Sequence, residues 1–207
     1  QVGPGVLIPR PETEQLVEIV IDAANKLPMR PAPVICDVCT GSGAIALSLG
    51  KALPHAQILA TDISEEALFW ANKNLSSSKL QNVSIFQGNL LDPICQFLKN
   101  KQKSIDIIVS NPPYVTENEY SDLEPVVKNH EPKLALTAGD DGLDIIRPLV
   151  EQSAKYLKPG GALFMEIGCA QGENILQLIS GFPQFVTLDV IKDFSGRDRF
   201  VSATTAY

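Results

Sequence analysis

The stretch "VICDVCTGSGAIAL", Val34 to Leu47, decides the fold. "VICDV" reads as a short buried strand, "CTGSG" as a loop, and the residues from about Ala44 to Leu53 as a helix. Gly41 and Gly43 let the backbone turn sharply and lie close to a ligand, because no Cβ intrudes. A strand that feeds a glycine loop and then a helix is the repeating unit of doubly wound α/β sheets. Such sheets bind ligands beyond the carboxyl ends of their strands. The helix N-terminus beyond the loop favours negative charge. The loop is not G-x-G-x-x-G, since Cys39 takes the first glycine position and Ile45 follows Ala44. That argues against a nicotinamide dehydrogenase. It is not G-x-x-x-x-G-K-[ST] either, because no lysine follows, which argues against an NTPase phosphate cradle.

Further strands follow on both sides. "AQILATD" is a second strand ending at Asp62, and Ser64 caps the next helix with Glu65 and Glu66 in its first turn. "VSIFQG" is a third strand, followed by "NLLD", and "SIDIIVS" is a fourth. "ALFMEIG" is a fifth, and "FVTLDVIKD" and "RFVSATT" close the chain as an antiparallel edge pair. "PRPETEQLVEIVIDAANKL" reads as a loop and then a helix, with Leu16, Val17, Val20, Ile21 and Ala24 at helical spacing. Glu12 and Glu14 lie near its start, where the helix dipole favours acids. "PMRPAP" is a proline-rich break. "LDIIRPLVEQSAKYLKPGG" is a helix ended by Pro-Gly-Gly, "AQGENILQLISGF" is another helix, and Phe69 and Trp70 fall in a helix as core packing. The segment "NEYSDLEPVVKNHEPKLALTAGDDG" is long and polar for a connection, which points to function or mobility. The expected fold is therefore α/β, a doubly wound, mostly parallel, seven-stranded sheet with an antiparallel edge pair.

The chain has 207 residues, 44% hydrophobic and 20% charged, enough for one good-sized α/β domain. Its net charge of −7 argues against direct nucleic-acid binding, which needs clustered Lys and Arg. No apolar run approaches a membrane span, and "QVGPGVLIPR" lacks the regions of a signal peptide. Cys36 and Cys39 form a C-x-x-C. No second such pair and only two histidines, His55 and His130, accompany it, so no metal site is expected. Cys36 falls inside a strand, whereas redox pairs sit at helix N-termini, so free thiols are expected.

Two features single out a ligand. Asp62 ends the second strand roughly 20 residues after the loop, where a carboxylate can accept both ribose hydroxyls of a nucleoside. The alternative is a simple helix-flanking acid. At the end of the fourth strand stands "SNPPYV", Ser110 to Val115. Its two prolines forbid a continuing strand. It reads either as a tight turn or as a rigid clamp for something planar and polar.

"DVCTGSG" resembles motif I of the class I S-adenosylmethionine-dependent methyltransferases, and Asp62 resembles their ribose-binding acid. "NPPY" resembles the signature of enzymes that methylate planar amino or amide nitrogens. With "LIPRPETEQLVE", "HEPKLAL" and "KDFSGRDRFV", the chain resembles the HemK/PrmC family of peptide-chain release factor glutamine N5-methyltransferases along almost its whole length. The resemblance implies S-adenosylmethionine as cofactor and S-adenosylhomocysteine as product. The implied substrate is the glutamine of the Gly-Gly-Gln motif in a class I release factor. Cofactor contacts are implied at Cys39, Thr40, Gly41, Ser42, Gly43, Asp62, Asn89, Leu90 and Asn111. Cys39 and Leu90 depart from relatives that carry glycine and an aromatic residue there. Residues 1–30 are expected to hold a hairpin remnant, the PRPETE loop and a leading helix, and residues 31–207 the methyltransferase domain. The resemblance also implies an N-terminal helical substrate-binding domain, which is expected to lie outside this chain.

An amide nitrogen is a weak nucleophile, so the protein's task is positioning and electrostatics. Asn111 is expected to accept one substrate N–H through its side-chain oxygen, and the Pro112 carbonyl the other. Pro112 and Pro113 hold that geometry, and Tyr114 packs against the planar amide. The resemblance implies that Arg10, Glu12 and Thr13 line the mouth of the site; the alternative is that they cap the surface. Glu166 is a strand-end acid near the site. Arg197 and Arg199 either position the substrate backbone or pair with Asp193 or Asp198, and structural ion pairs are expected; His130 is expected as a loop residue. A monomer is expected, in a bacterial cytoplasm or an organelle. Three other readings compete. A nucleic-acid N6-adenine methyltransferase is opposed by the charge. A methylase of the eukaryotic cytosolic release factor is opposed by "PRPETE". A non-catalytic module is opposed by the loop, Asp62 and NPPY together.

Overall fold

The computed structural model describes residues 1–27, 31–99 and 104–207; the start of the proline-rich break lies outside them. Seven strands form one sheet: β1 (Val34–Val38), β2 (Gln57–Asp62), β3 (Val83–Gln87), β4 (Ile105–Ser110), β5 (Leu157–Glu166), β6 (Phe185–Lys192) and β7 (Asp198–Thr205). Their order is β3-β2-β1-β4-β5-β7-β6. The first five run parallel, while β7 pairs antiparallel with both β5 and β6. The expected mostly parallel sheet with an antiparallel edge is therefore what forms. The order reverses between β1 and β4, whose last residues, Val38 and Ser110, pair in register. Ser110 Oγ donates to the Val38 carbonyl at 2.7 Å and ties the two strand ends together. A crevice opens beyond such a reversal, because the connecting helices leave toward opposite faces.

The helices are α1 (Pro11–Ala24), α2 (Ala44–Ala52), α3 (Glu65–Ser78), α4 (Asp92–Lys99), α5 (Glu117–Asp122), α6 (Pro125–His130), α7 (Ile146–Tyr156) and α8 (Gly172–Ser180). Alternate residues of a strand face opposite sides, and β1 shows the consequence. Ile35 joins a core with Leu16 and Val20 of α1 and Ala46 and Leu49 of α2. Val34, Cys36 and Val38 join the opposite core, with Ile94 of α4, Leu149 of α7 and Ile175 of α8. In α1, Leu16, Val20 and Ala24 are buried as their spacing predicts, and Ser64 caps α3 by accepting from the Ala67 N–H.

Two expectations need correction, and two stretches form helices that the sequence analysis did not assign. The "DPICQFLK" stretch after "NLLD" forms α4, because Pro93 stands in the first turn, where its missing N–H has no helical partner to lose. Pro-Gly-Gly does not lie beyond α7 as an outside turn, because β5 already begins at Leu157. Ile105 pairs with Leu157 and Ile107 with Ala162, so Lys158 to Gly161 form a bulge opposite Asp106. Gly160, at φ +71°, takes the left-handed position the bulge requires. Phe69 is 60% exposed and Trp70 is half-buried. Trp70 holds the N-terminal segment instead of the core: Gly3 lies against its ring, and its Nε1 donates to the Pro4 carbonyl at 3.2 Å. Finally, the long polar segment is built of α5, α6 and a 3-10 turn at Lys133–Ala135. A capping box at Thr116 and Glu119 starts α5.

Candidate active site

The glycine loop leaves β1 with Cys39, Gly41 and Gly43 at φ of 60°, 56° and 82°. Left-handed backbone is costly for a residue with a Cβ, so Cys39 carries strain that glycine would not. Asp37, in the middle of β1 among residues with no exposure, holds the loop from below. Its Oδ2 accepts the Thr40 hydroxyl at 2.5 Å and the Ala46 N–H at 3.0 Å, linking the loop to the first turn of α2. Its Oδ1 has no hydrogen-bond partner among the described residues. Burial pushes the Asp37 carboxyl up to about 7, against the pull of those two hydrogen bonds. The folded state therefore binds this proton more tightly than the unfolded chain does. Stability falls as pH rises from about 4 to about 7 and is level on either side, a loss of at most about 4 kcal/mol. Asp37→Asn is expected to remove that part of the slope, read from urea midpoints of both proteins across this window.

Asp62, at the end of β2, reaches back to the loop. Its Oδ2 accepts the Gly41 N–H at 2.8 Å, and its Oδ1 accepts the Ser64 N–H at 3.0 Å. Each carboxylate oxygen keeps further acceptor capacity. Burial raises its pKa, and these backbone bonds oppose the rise. Leu90, also at positive φ, follows β3; its carbonyl accepts the Thr61 hydroxyl at 2.8 Å.

One pocket gathers these elements. Cys39, Thr40, Gly41, Ser42, Asp62, Asn89, Leu90, Asn111 and Pro113 all line it. Gly43 does not; its N–H bonds the Thr40 carbonyl, and it begins α2. Pro112 is buried beside the pocket and is not in its wall. Tyr114 is not in the wall either. Its ring packs on the sheet core, and its hydroxyl donates to Glu166 Oε1 at 3.3 Å. Sequence reasoning did not foresee the walls contributed by Val6 and Leu7, by Ile63, and by Pro132, Leu134 and Ala135 of the long segment. "HEPKLAL" was the available signal for the last of these.

Asn111 begins the turn after β4. Its Nδ2 donates to Thr13 Oγ1 at 3.3 Å, and Thr13 Oγ1 donates to Glu166 Oε2 at 2.9 Å. Neither Asn111 Oδ1 nor the Pro112 carbonyl accepts a hydrogen bond among the described residues. Arg10 pairs with Glu131 at 2.6 Å, joining the PRPETE loop to the long segment across the pocket mouth. Arg199 points inward: its Nη1 lies 3.5 Å from the Tyr114 hydroxyl and 3.3 Å from the Ile167 carbonyl. Its Nε is 3.8 Å from Asp193, the ion pair expected for this arginine. Arg197 contributes its backbone N–H to Asp193 instead, and Asp198 pairs with Lys192.

The four cysteines are free thiols. Burial pushes Cys39 up to about 12 and raises Cys36 well above the ordinary thiol range. A neutral thiol is a poor nucleophile. Brief alkylation of the native chain at pH 8, mapped by peptide mass spectrometry, is expected to label exposed Cys169 and spare Cys36 and Cys39. Among the described residues, no group of three His, Cys, Asp or Glu side chains could hold a metal ion.

A seven-stranded α/β sheet with a glycine loop and a strand-end acid at its reversal defines a class I methyltransferase fold. Solved structures agree on the fold. The ribosomal protein L11 methylase from Lactobacillus delbrueckii subsp. bulgaricus superposes with a TM-score of 0.63 at 21% identity, over 99% of this chain and 83% of its own. A methyltransferase from Pyrococcus furiosus gives 0.66 at 17%, over 100% and 88%. The family described as "Methyltransferase small domain" matches residues 22–179. The release factor glutamine methyltransferase of Thermodesulfovibrio yellowstonii is 43% identical over 201 residues, 96% of this chain and 68% of that protein. That of Thermosynechococcus vestitus is 42% identical over 205 residues, 99% and 68%. That of Streptomyces coelicolor is 37% identical over 206 residues, 100% and 70%. The chain belongs to the release factor glutamine methyltransferase family.

Proposed function

We propose that the chain methylates the side-chain amide nitrogen of the glutamine in the Gly-Gly-Gln motif of a class I release factor, with S-adenosylmethionine as donor. One observation carries this reading. Two acceptors that take no donor among the described residues, Asn111 Oδ1 and the Pro112 carbonyl, stand beside a pocket walled by the glycine loop and Asp62. The donor set fits the cofactor. Asp62 offers acceptor capacity suited to two ribose hydroxyls, and Gly41 keeps a side chain out of the loop where it borders the pocket. We assign its binding to Cys39, Thr40, Gly41, Ser42, Asp62, Asn89 and Leu90, with residues 31–207 as the methyltransferase domain. Bound there, S-adenosylmethionine supplies an electrophilic methyl group and leaves as S-adenosylhomocysteine.

The protein's own work lies on the amide. Asn111 Oδ1 and the Pro112 carbonyl each accept one N–H of the substrate, which turns the nitrogen toward the cofactor and favours positive charge on it. Pro112 cannot donate, and its ring holds the carbonyl at a fixed angle. The proton leaves after transfer, so no strong base is required. Tyr114 serves this site by anchoring the turn from behind through Glu166, and not by stacking on the substrate. The names of the relatives favour glutamine over adenine as the acceptor. Incubation with label-bearing cofactor and equal amounts of release factor and adenine-containing DNA tests the choice. Label is expected in the protein; label in the DNA would overturn the reading.

A further inference from the structure

A side-chain amide has two nearly isosteric ends, and only one of them suits the clamp. If Asn111 turned its NH₂ toward the substrate nitrogen, donor would face donor. Something must choose the end. Thr13, in the first turn of α1, has a hydroxyl with one hydrogen and two acceptor lone pairs. Glu166, at the end of β5, is 1% exposed. Its Oε2 lies 2.9 Å from Thr13 Oγ1 and its Oε1 lies 3.3 Å from the Tyr114 hydroxyl. As a carboxylate it only accepts, so it takes the single hydrogen of Thr13. Thr13 is then left with lone pairs alone, and it accepts from Asn111 Nδ2 at 3.3 Å. The opposite end of Asn111 would set oxygen against oxygen.

We propose that Thr13 and Glu166 are positioning residues: they fix the Asn111 amide with its oxygen free to accept the substrate N–H. This rests on the reading of Asn111 as the substrate's acceptor. The bonds link α1, the turn after β4 and the end of β5, three segments far apart in sequence. Burial raises the Glu166 pKa, with the charge of Glu12 adding to the rise, while the bond from Thr13, the Arg199 guanidinium and the bond from Tyr114 oppose it. The residues act through Asn111, and the effect belongs in turnover and not in binding.

Thr13→Val removes the hydroxyl and nearly keeps the volume; Thr13→Ser keeps the hydroxyl. With the release factor as substrate, Thr13→Val is expected to lower kcat about 30-fold, with cofactor Kd and release-factor KM each within about threefold. Thr13→Ser is expected to stay within about threefold of the parent. A Thr13→Val enzyme that keeps kcat within about threefold would overturn the proposal. So would a loss that falls on Kd or KM alone, or a serine variant as slow as the valine one. A second readout needs no activity. In nitrogen-15-labelled chain, the side-chain NH₂ pair of Asn111, assigned by its loss in Asn111→Asp, is expected to move in Thr13→Val and stay in Thr13→Ser. An unmoved pair in Thr13→Val would also overturn the relay. A parent that leaves the glutamine unmethylated would instead count against the proposed substrate, while the resonance test still decides the relay.

Discussion

Asn111→Ala is expected to lower kcat for release-factor methylation about 100- to 1000-fold, the range seen when one preorganised polar contact to developing charge is removed. The cofactor's Kd is expected to stay within about twofold. The separation follows from where the residue stands. Asn111 belongs to the turn after β4, and its side chain is held from behind by Thr13. Asp62 and the glycine loop keep their own backbone bonds whether or not Asn111 is present. The alanine variant removes one acceptor from the substrate nitrogen and leaves the Pro112 carbonyl as the other. The nitrogen then turns freely, and the charge that grows on it meets one dipole instead of two. Stopped-flow or discontinuous assays at saturating cofactor, with calorimetry for Kd, check both halves. Near-normal turnover would show that the clamp is not the catalytic device.

Asp62→Ala is expected to show the opposite pattern. The cofactor's Kd rises at least about 100-fold, since hydrogen bonds to a charged group are worth about 1.5–3 kcal/mol each and two are lost. Turnover at saturating cofactor is expected to recover to within about threefold, because Asp62 touches no reacting atom. Part of the loss comes from the protein itself. Asp62 also accepts the Gly41 and Ser64 N–H groups, so the variant loosens the loop it should bind against. Calorimetric titration of the cofactor into parent and variant checks the first value. An unchanged Kd would remove Asp62 from the cofactor site.

How much of this was legible in the sequence depends on how local the determinants are. Gly41, Gly43 and Asp62 announce the pocket because a left-handed turn and a strand-end acid leave residue-level marks in short segments. Asn111 and its prolines do the same for the end of β4. The α4 helix escaped notice because Pro93 reads as a breaker until its place in the first turn is known. The bulge at Lys158 to Gly161 looked like a helix stop because Pro-Gly-Gly suits either role. Tyr114 was expected at the substrate, but whether a tyrosine after a turn faces the crevice or the core is settled by packing with distant elements. The same limit hides the bond between Thr13 and Glu166, each of which the sequence places near the site: 153 positions separate them, and only the folded sheet brings them to 2.9 Å. Their sequence neighbourhoods carry no sign that they share a hydrogen.

The most direct measurement is tandem mass spectrometry of an intact release factor incubated with this chain and S-adenosylmethionine carrying a trideuterated methyl group. The account predicts one labelled methyl on the side-chain nitrogen of the Gly-Gly-Gln glutamine, forming about 100- to 1000-fold more slowly with Asn111→Ala. Label on another residue, or a parent chain that binds cofactor yet leaves that glutamine unlabelled, would contradict it.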